Sequence, residues 1–142
     1  MLKYQLIHPE ILGTLAQAGH GAKVLLADGN YPFSVMAPAG AKRVYLNLCP
    51  GTVQIVPLLK LLAEAIPVES ALVMLPTTGE PLALHGEYRD ILGPGVEMHE
   101  KPRFDFYQAA CAPETCLVIA TGEQRRFANI LLTIGVVKDV RP

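Results

Sequence analysis

Residues 8–32 read HPEILGTLAQAGHGAKVLLADGNYP, a helical pattern followed directly by a strand pattern, and that alternation decides the fold class. Proline is well tolerated in a first helical turn, so a helix is expected to start near Pro9. Ile11, Leu12, Leu15 and Ala16 place an apolar stripe on one face, and Gly19 is a suitable terminator. Val24, Leu25, Leu26 and Ala27 then form a short unbroken apolar run, the pattern of a buried strand. Asp28-Gly29-Asn30 is a strong turn signal, with Pro32 close behind.

Working outward, the same alternation continues. Residues 44–48 predict a second strand, punctuated by Pro50-Gly51, and Thr52 is a candidate N-cap for a helix running to about Ala65. Pro57 falls inside that helix and is expected to kink or split it. Residues 71–75 predict a strand, and residues 84–92 and 104–110 predict short helices. Between those helices, residues 97–104 read as a polar loop carrying His99, Lys101 and Arg103. Residues 116–120 and 130–137 are the last apolar runs. Strands alternating with helices imply an α/β fold, a single domain over residues 1–142 with a largely parallel sheet covered by helices.

Composition narrows the function. Apolar residues make up 51% of the chain and charged residues 18%, an excess that points to partner subunits covering part of the surface. Net charge is −1 and the densest basic spots are the pairs Lys42-Arg43 and Arg125-Arg126, so nucleic acid is not an expected partner. The opening MLKYQLIHPE has no apolar signal core, and the apolar stretch 53–66 is interrupted by Pro57, Lys60 and Glu64. Neither a secretory signal nor a membrane span is therefore expected. Three cysteines, Cys49, Cys111 and Cys116, lack metal-ligand spacing and leave one unpaired in any disulfide scheme. They read as buried small hydrophobes of a reducing, cytoplasmic protein.

In open α/β sheets ligands gather beyond the carboxyl ends of the strands. Three stretches supply candidate chemistry there: Gly19-His20-Gly21 with Asp28, the segment 97–104, and Thr121-Gly122-Glu123 followed by Phe127-Ala128-Asn129. His20 is either a surface turn histidine or a general acid–base, the imidazole needing least tuning near neutral pH. Asp28 is either a turn former or a hydroxyl acceptor. The Thr-Gly-Glu loop is a candidate cradle for phosphate or hydroxyl groups. No glycine-rich nucleotide fingerprint, histidine–cysteine metal spacing or Gly-x-Ser-x-Gly elbow occurs, so no cofactor and no metal are expected.

The segment HPEILGTLAQAGHGAKVLLADGNYP resembles the opening of the L-fucose mutarotase and D-ribose pyranase family. RFDFYQAA and CLVIATGEQRRFANILLTIGVV resemble its closing portion. The resemblance covers essentially the full chain and implies a ring-shaped homo-oligomer, often a decamer, with active sites between subunits. It implies a monosaccharide substrate, with His20 as the catalytic acid–base and Asp28 contacting sugar hydroxyls. Arg103 matches the sugar-binding arginine of the fucose branch. Phe127, Ala128 and Asn129 fall where the family has Tyr-Gly-Asn or Tyr-Ala-Asn, and they complete the implied substrate-binding set. Phe127 departs from that pattern, which removes one phenolic hydroxyl, and Ala128 matches the ribose branch. The implied activity is interconversion of cyclic forms of a sugar such as L-fucose. The alternatives are pyranose–furanose exchange of the D-ribose type and a silent sugar-binding or transport-accessory protein.

Overall fold

The computed structural model describes residues 1–138; the last four residues of the expected domain lie outside the described residues. Ten elements follow in order: α1 (Pro9–Gln17), β1 (Lys23–Ala27), β2 (Lys42–Tyr45), α2 (Ile55–Ala65), β3 (Val68–Met74), α3 (Ala83–Leu92), β4 (Glu97–Lys101), α4 (Arg103–Ala110), β5 (Thr115–Ala120) and β6 (Ile130–Ile134). The strands form one six-stranded sheet in the order β2-β5-β1-β6-β3-β4. All neighbours are parallel except β6, which runs antiparallel to both β1 and β3.

The unbroken apolar runs are explained by two-sided burial. Successive side chains of a strand point to opposite faces. Val24 and Leu26 of β1 accordingly join a core with Ile11 of α1, Leu58, Leu59 and Leu62 of α2 and Tyr88 of α3. Leu25 and Ala27 join a second core on the other face, with Phe106 and Ala110 of α4 and with Tyr31, Ala37 and Ala41 from the β1–β2 connection. Arg43 ties much of that connection together. The Arg43 guanidinium donates to the carbonyls of Phe33, Ala37, Pro38 and Ala41 at 2.9–3.2 Å.

Four expectations need correction. Residues 97–101 form an edge strand rather than a loop. Their run Glu-Met-His-Glu-Lys pairs only with β3, so charge is tolerated there and blunts the edge. α2 begins at Ile55 rather than after Thr52, and it runs unbroken through Pro57 to Ala65. Pro57 is the third residue of that helix, within the first turn, where backbone N–H groups have no intrahelical partner to lose. Of the cysteines, Cys49 and Cys111 are exposed, and only Cys116 is half-buried, its thiol donating to the Lys23 carbonyl. Among the described residues no helix is long and apolar enough to cross a membrane.

His85 of α3 is fully buried, stacked 6.2 Å from Tyr88, and neither ring nitrogen has a partner of good geometry. Burial holds its pKa below the ordinary value, with Arg89 acting the same way and Glu100 and the nearby Phe127 backbone opposing. In the unfolded chain the ring titrates near about 6.5. The unfolded state therefore binds the extra proton first as pH falls. Stability from neutral His85 is full above that value and lost towards the lower folded pKa, at up to about 1.4 kcal/mol per pH unit. His85→Phe is expected to flatten the pH dependence of urea unfolding between pH 6.5 and 5. An unchanged slope would remove His85 from the account.

Candidate functional site

Because β6 runs antiparallel, the segment 121–129 that precedes it lies at the same sheet end as the carboxyl ends of β1, β3 and β5. A cavity of about 330 Å³ opens there. Asp28, Arg103, Phe127 and Asn129 line it, together with Tyr31 and Tyr107. Met74, Asn30 and Arg126 complete the wall.

Asp28 is the most elaborately held group. It is 2% exposed, and its Oδ1 accepts the Asn30 N–H at 2.9 Å. Its Oδ2 accepts the Ala128 N–H at 3.2 Å and the Asn129 Nδ2 at 3.0 Å. Asn129 Oδ1 in turn accepts the Asp28 N–H at 2.8 Å, making the two residues a reciprocal pair. Burial pushes the Asp28 carboxyl above its usual pKa, and these donors oppose the shift. The result is a fixed carboxylate, short of water, at the wall of a polar cavity.

The loop carrying Phe127 is forced into shape. Phe127 has φ 62°, a left-handed conformation that a bulky residue rarely adopts. Ala128, one residue on, is fully buried and does not itself line the cavity: its N–H goes to Asp28, and its carbonyl accepts the Tyr88 hydroxyl at 2.7 Å. The two bonds of Ala128, immediately after Phe127, hold that strained backbone in place. The Arg126 guanidinium lies 5.6 Å from the Phe127 ring centroid.

Arg103 opens α4 and packs its guanidinium 4.9 Å from the Phe104 ring centroid. One turn later on the same helix is Tyr107, whose ring meets Tyr31 edge-on at 5.3 Å. The Tyr31 hydroxyl donates to the Met36 carbonyl at 2.7 Å, and burial pushes its pKa up. Among the described residues no hydrogen bond engages the Tyr107 hydroxyl, so of the two cavity tyrosines it is the one with a hydroxyl to offer a ligand.

Thr121, Gly122 and Glu123 line a separate cavity of about 480 Å³, and the Thr121 and Glu123 side chains are engaged in internal bonds. The Thr121 hydroxyl donates to the Ala27 carbonyl at 2.8 Å. Burial alone would raise the Glu123 carboxyl, but Arg125, bonding both its oxygens at 3.0 and 2.7 Å, holds it below the usual range. Glu123 Oε2 also accepts the Ile55 N–H at 3.3 Å and so caps α2, a task that neither Thr52 nor Gln54 performs.

His20 lies elsewhere. It sits in the turn before β1, whereas Asp28 follows β1. Five strand residues at about 3.3 Å each put roughly 15 Å of strand between the two within one chain. There the exposed His20 Nε2 pairs with Glu69 Oε2 at 2.7 Å. His99 is also exposed, 3.5 Å from Glu97, and does not line the cavity. Sequence reasoning had no signal for Glu69, Met74 or Arg126. Of the tyrosines that could replace the hydroxyl missing at Phe127, Tyr31 and Tyr107 line the cavity and Tyr45 does not.

Comparison with known proteins bears on the family and the fold. Residues 1–137 match the RbsD / FucU transport protein family. The chain is 33% identical over 141 residues to a fucose mutarotase of Danio rerio, covering 91% of this chain and 88% of that one. It superposes on the fucose mutarotase of Streptococcus pneumoniae in complex with L-fucose with a TM-score of 0.76 and 31% identity, over 96% and 99% of the two chains. The Bacillus subtilis RbsD structure complexed with D-ribose gives a TM-score of 0.83 at 24% identity, over 96% and 99%.

Proposed function

This chain belongs to the RbsD / FucU transport protein family, and from that premise we propose that it is a sugar mutarotase, an isomerase that interconverts cyclic forms of a monosaccharide such as L-fucose. The observation that carries the reading is the cavity itself, where a buried and fully oriented carboxylate, a guanidinium and a phenol converge in a relative of fucose mutarotases.

Opening a cyclic sugar needs a proton on the ring oxygen and a proton taken from the anomeric hydroxyl. Reclosure through the same hydroxyl gives the other anomer, and reclosure through another exchanges ring size. Asp28 is an acceptor for sugar hydroxyls, Arg103 a charged donor, and Asn129 the group that fixes Asp28. Phe127 shapes the wall from the strained loop, and Ala128 acts through its N–H on Asp28. Tyr107 offers a phenolic hydroxyl in a site whose Phe127 lacks one.

His20 is the proton shuttle in this reading, delivered to the cavity by a neighbouring subunit of a ring-shaped homo-oligomer such as a decamer. Exposed Val35, Leu48, Phe104, Val136 and Val137 supply apolar surface for that assembly. Three unpaired thiols suit a reducing cytoplasmic setting. A second reading, pyranose–furanose exchange of the D-ribose type, is favoured by Ala128, which matches the ribose branch of the family. NMR magnetisation exchange between sugar forms tests both. Protein is expected to accelerate anomer exchange of L-fucose, and selective acceleration of D-ribose ring exchange would choose the second reading. Saturable binding without any acceleration would reduce the protein to a sugar-binding one.

A further inference from the structure

Three backbone features converge on Glu69, and none is needed for a surface carboxylate. First, the register between β3 and β6 shifts between Val68 and Ser70, so Glu69 occupies an irregularity in the ladder. Such irregularities re-aim a side chain out of the regular alternation. Second, Gly135 follows β6 directly opposite. A Cβ on Gly135 would lie 3.1 Å from the Glu69 Cβ and 3.4 Å from its backbone nitrogen, so a larger residue there would press on Glu69. Third, the turn carrying His20 is tied to the same place. Gly21, at φ 83°, donates its N–H to the Ile134 carbonyl at 2.9 Å, and Gly135 donates to the Pro67 carbonyl at 2.8 Å. Three separate segments thereby bring Glu69 Oε2 to 2.7 Å from His20 Nε2.

We infer that Glu69 is the positioning residue for His20, fixing the imidazole as the Nε2–H tautomer and leaving Nδ1 as its proton-transfer atom. The inference rests on the reading of His20 as the acid–base. An ionised carboxylate only accepts hydrogen bonds, so the nitrogen facing it carries the hydrogen. The other ring nitrogen is then unprotonated in the neutral ring and is available to take a proton from the sugar hydroxyl and return it to the ring oxygen. A glutamine of the same shape offers both an acceptor oxygen and a donor nitrogen, so it holds the ring without choosing its tautomer. Replacing the orienting carboxylate of a working imidazole by an amide leaves geometry intact and still removes activity for this reason.

The experiment compares the wild type, His20→Ala and Glu69→Gln as assembled proteins on the sugar they exchange. Nitrogen-15 NMR of the imidazoles is read alongside kcat and KM from exchange rates. Glu69→Gln is expected to lower kcat about tenfold or more with KM little changed, and to convert the His20 signal from one tautomer to a mixture. The tautomer readout belongs to Glu69 itself and does not move if the residue merely props the turn. Unchanged kcat in Glu69→Gln while His20→Ala is inactive overturns the inference and leaves the His20 reading standing. A raised KM with an unchanged tautomer makes Glu69 a sugar contact instead, which also overturns it. Full activity in His20→Ala removes the acid–base reading, and the positioning role goes with it.

Discussion

His20→Ala and Asp28→Asn are each expected to lose about 10²–10⁴-fold of the exchange rate, while an oligomer assembled from both variants recovers roughly a quarter of wild-type activity. The reason is the length of β1. One chain places His20 before that strand and Asp28 after it, so the two meet only if different subunits supply them. In a randomly mixed ring, a site is intact when the subunit giving His20 is the Asp28→Asn chain and its neighbour is the His20→Ala chain. Each has a chance of one half. Both variants should fold: His20 is exposed, and the amide introduced by Asp28→Asn would keep an oxygen for the Ala128 and Asn129 donors, giving up the bond from Asn30. The sign of the Asp28 shift points the same way. Its folded pKa is raised, so its contribution to stability is full below the unfolded value near about 3.9 and lost as pH rises. At neutral pH the buried charge is therefore a cost that asparagine relieves. Co-expression with two tags and tandem purification gives the mixed ring. Activity no greater than the sum of the separate variants would put the whole site inside one chain, or take His20 out of it.

What the sequence discloses divides along a physical line. The run Val24–Ala27 states its own burial, because a strand covered on both faces needs every side chain apolar. It says nothing of direction: β6 is equally apolar, yet antiparallel, and only the short path from β5 through residues 121–129 turns it back. Glu97–Lys101 stays hidden because an edge strand does not require apolar alternation. The start of α2 stays hidden because its cap is Glu123, 68 residues further along the chain. The site divides in the same way. Asp28 and Asn129 are individually conspicuous beside turns, but their reciprocal pairing joins positions 101 residues apart. Glu69 sits in an ordinary strand pattern, and only the register irregularity gives it a purpose. Local pattern reports how a residue is buried; the site is made of long-range meetings that leave no local trace.

Gly122→Ala tests one such meeting, and it is expected to cost more than about 3 kcal/mol of stability, roughly 10 °C in melting temperature. A Cβ at position 122 would run into the carbonyl oxygens of Thr52 and Cys49, with the Thr52 nitrogen 3.0 Å away. All three are backbone atoms, so no side chain can swing aside. The two loops are also bonded face to face: the Gly51 N–H reaches the Gly122 carbonyl at 2.6 Å, and the Gly122 N–H reaches the Thr52 carbonyl at 3.0 Å. Separating them releases Val53, a β-branched residue held at φ 53°. It also moves Glu123 away from the start of α2 and away from Gly29, whose N–H bonds the Glu123 carbonyl at 2.8 Å. Gly29 adjoins Asp28, so the same substitution disturbs the cavity. Exchange activity should fall below what the remaining folded fraction would give. Gly13→Ala is the control, since a Cβ there meets nothing within 4 Å in the middle of α1. Alanine is better than glycine in a helix interior, by about 0.5–1 kcal/mol. Thermal melts of both variants decide the matter: if Gly122→Ala unfolds within about 2 °C of the wild type, the two loops yield more easily than their backbone contacts imply.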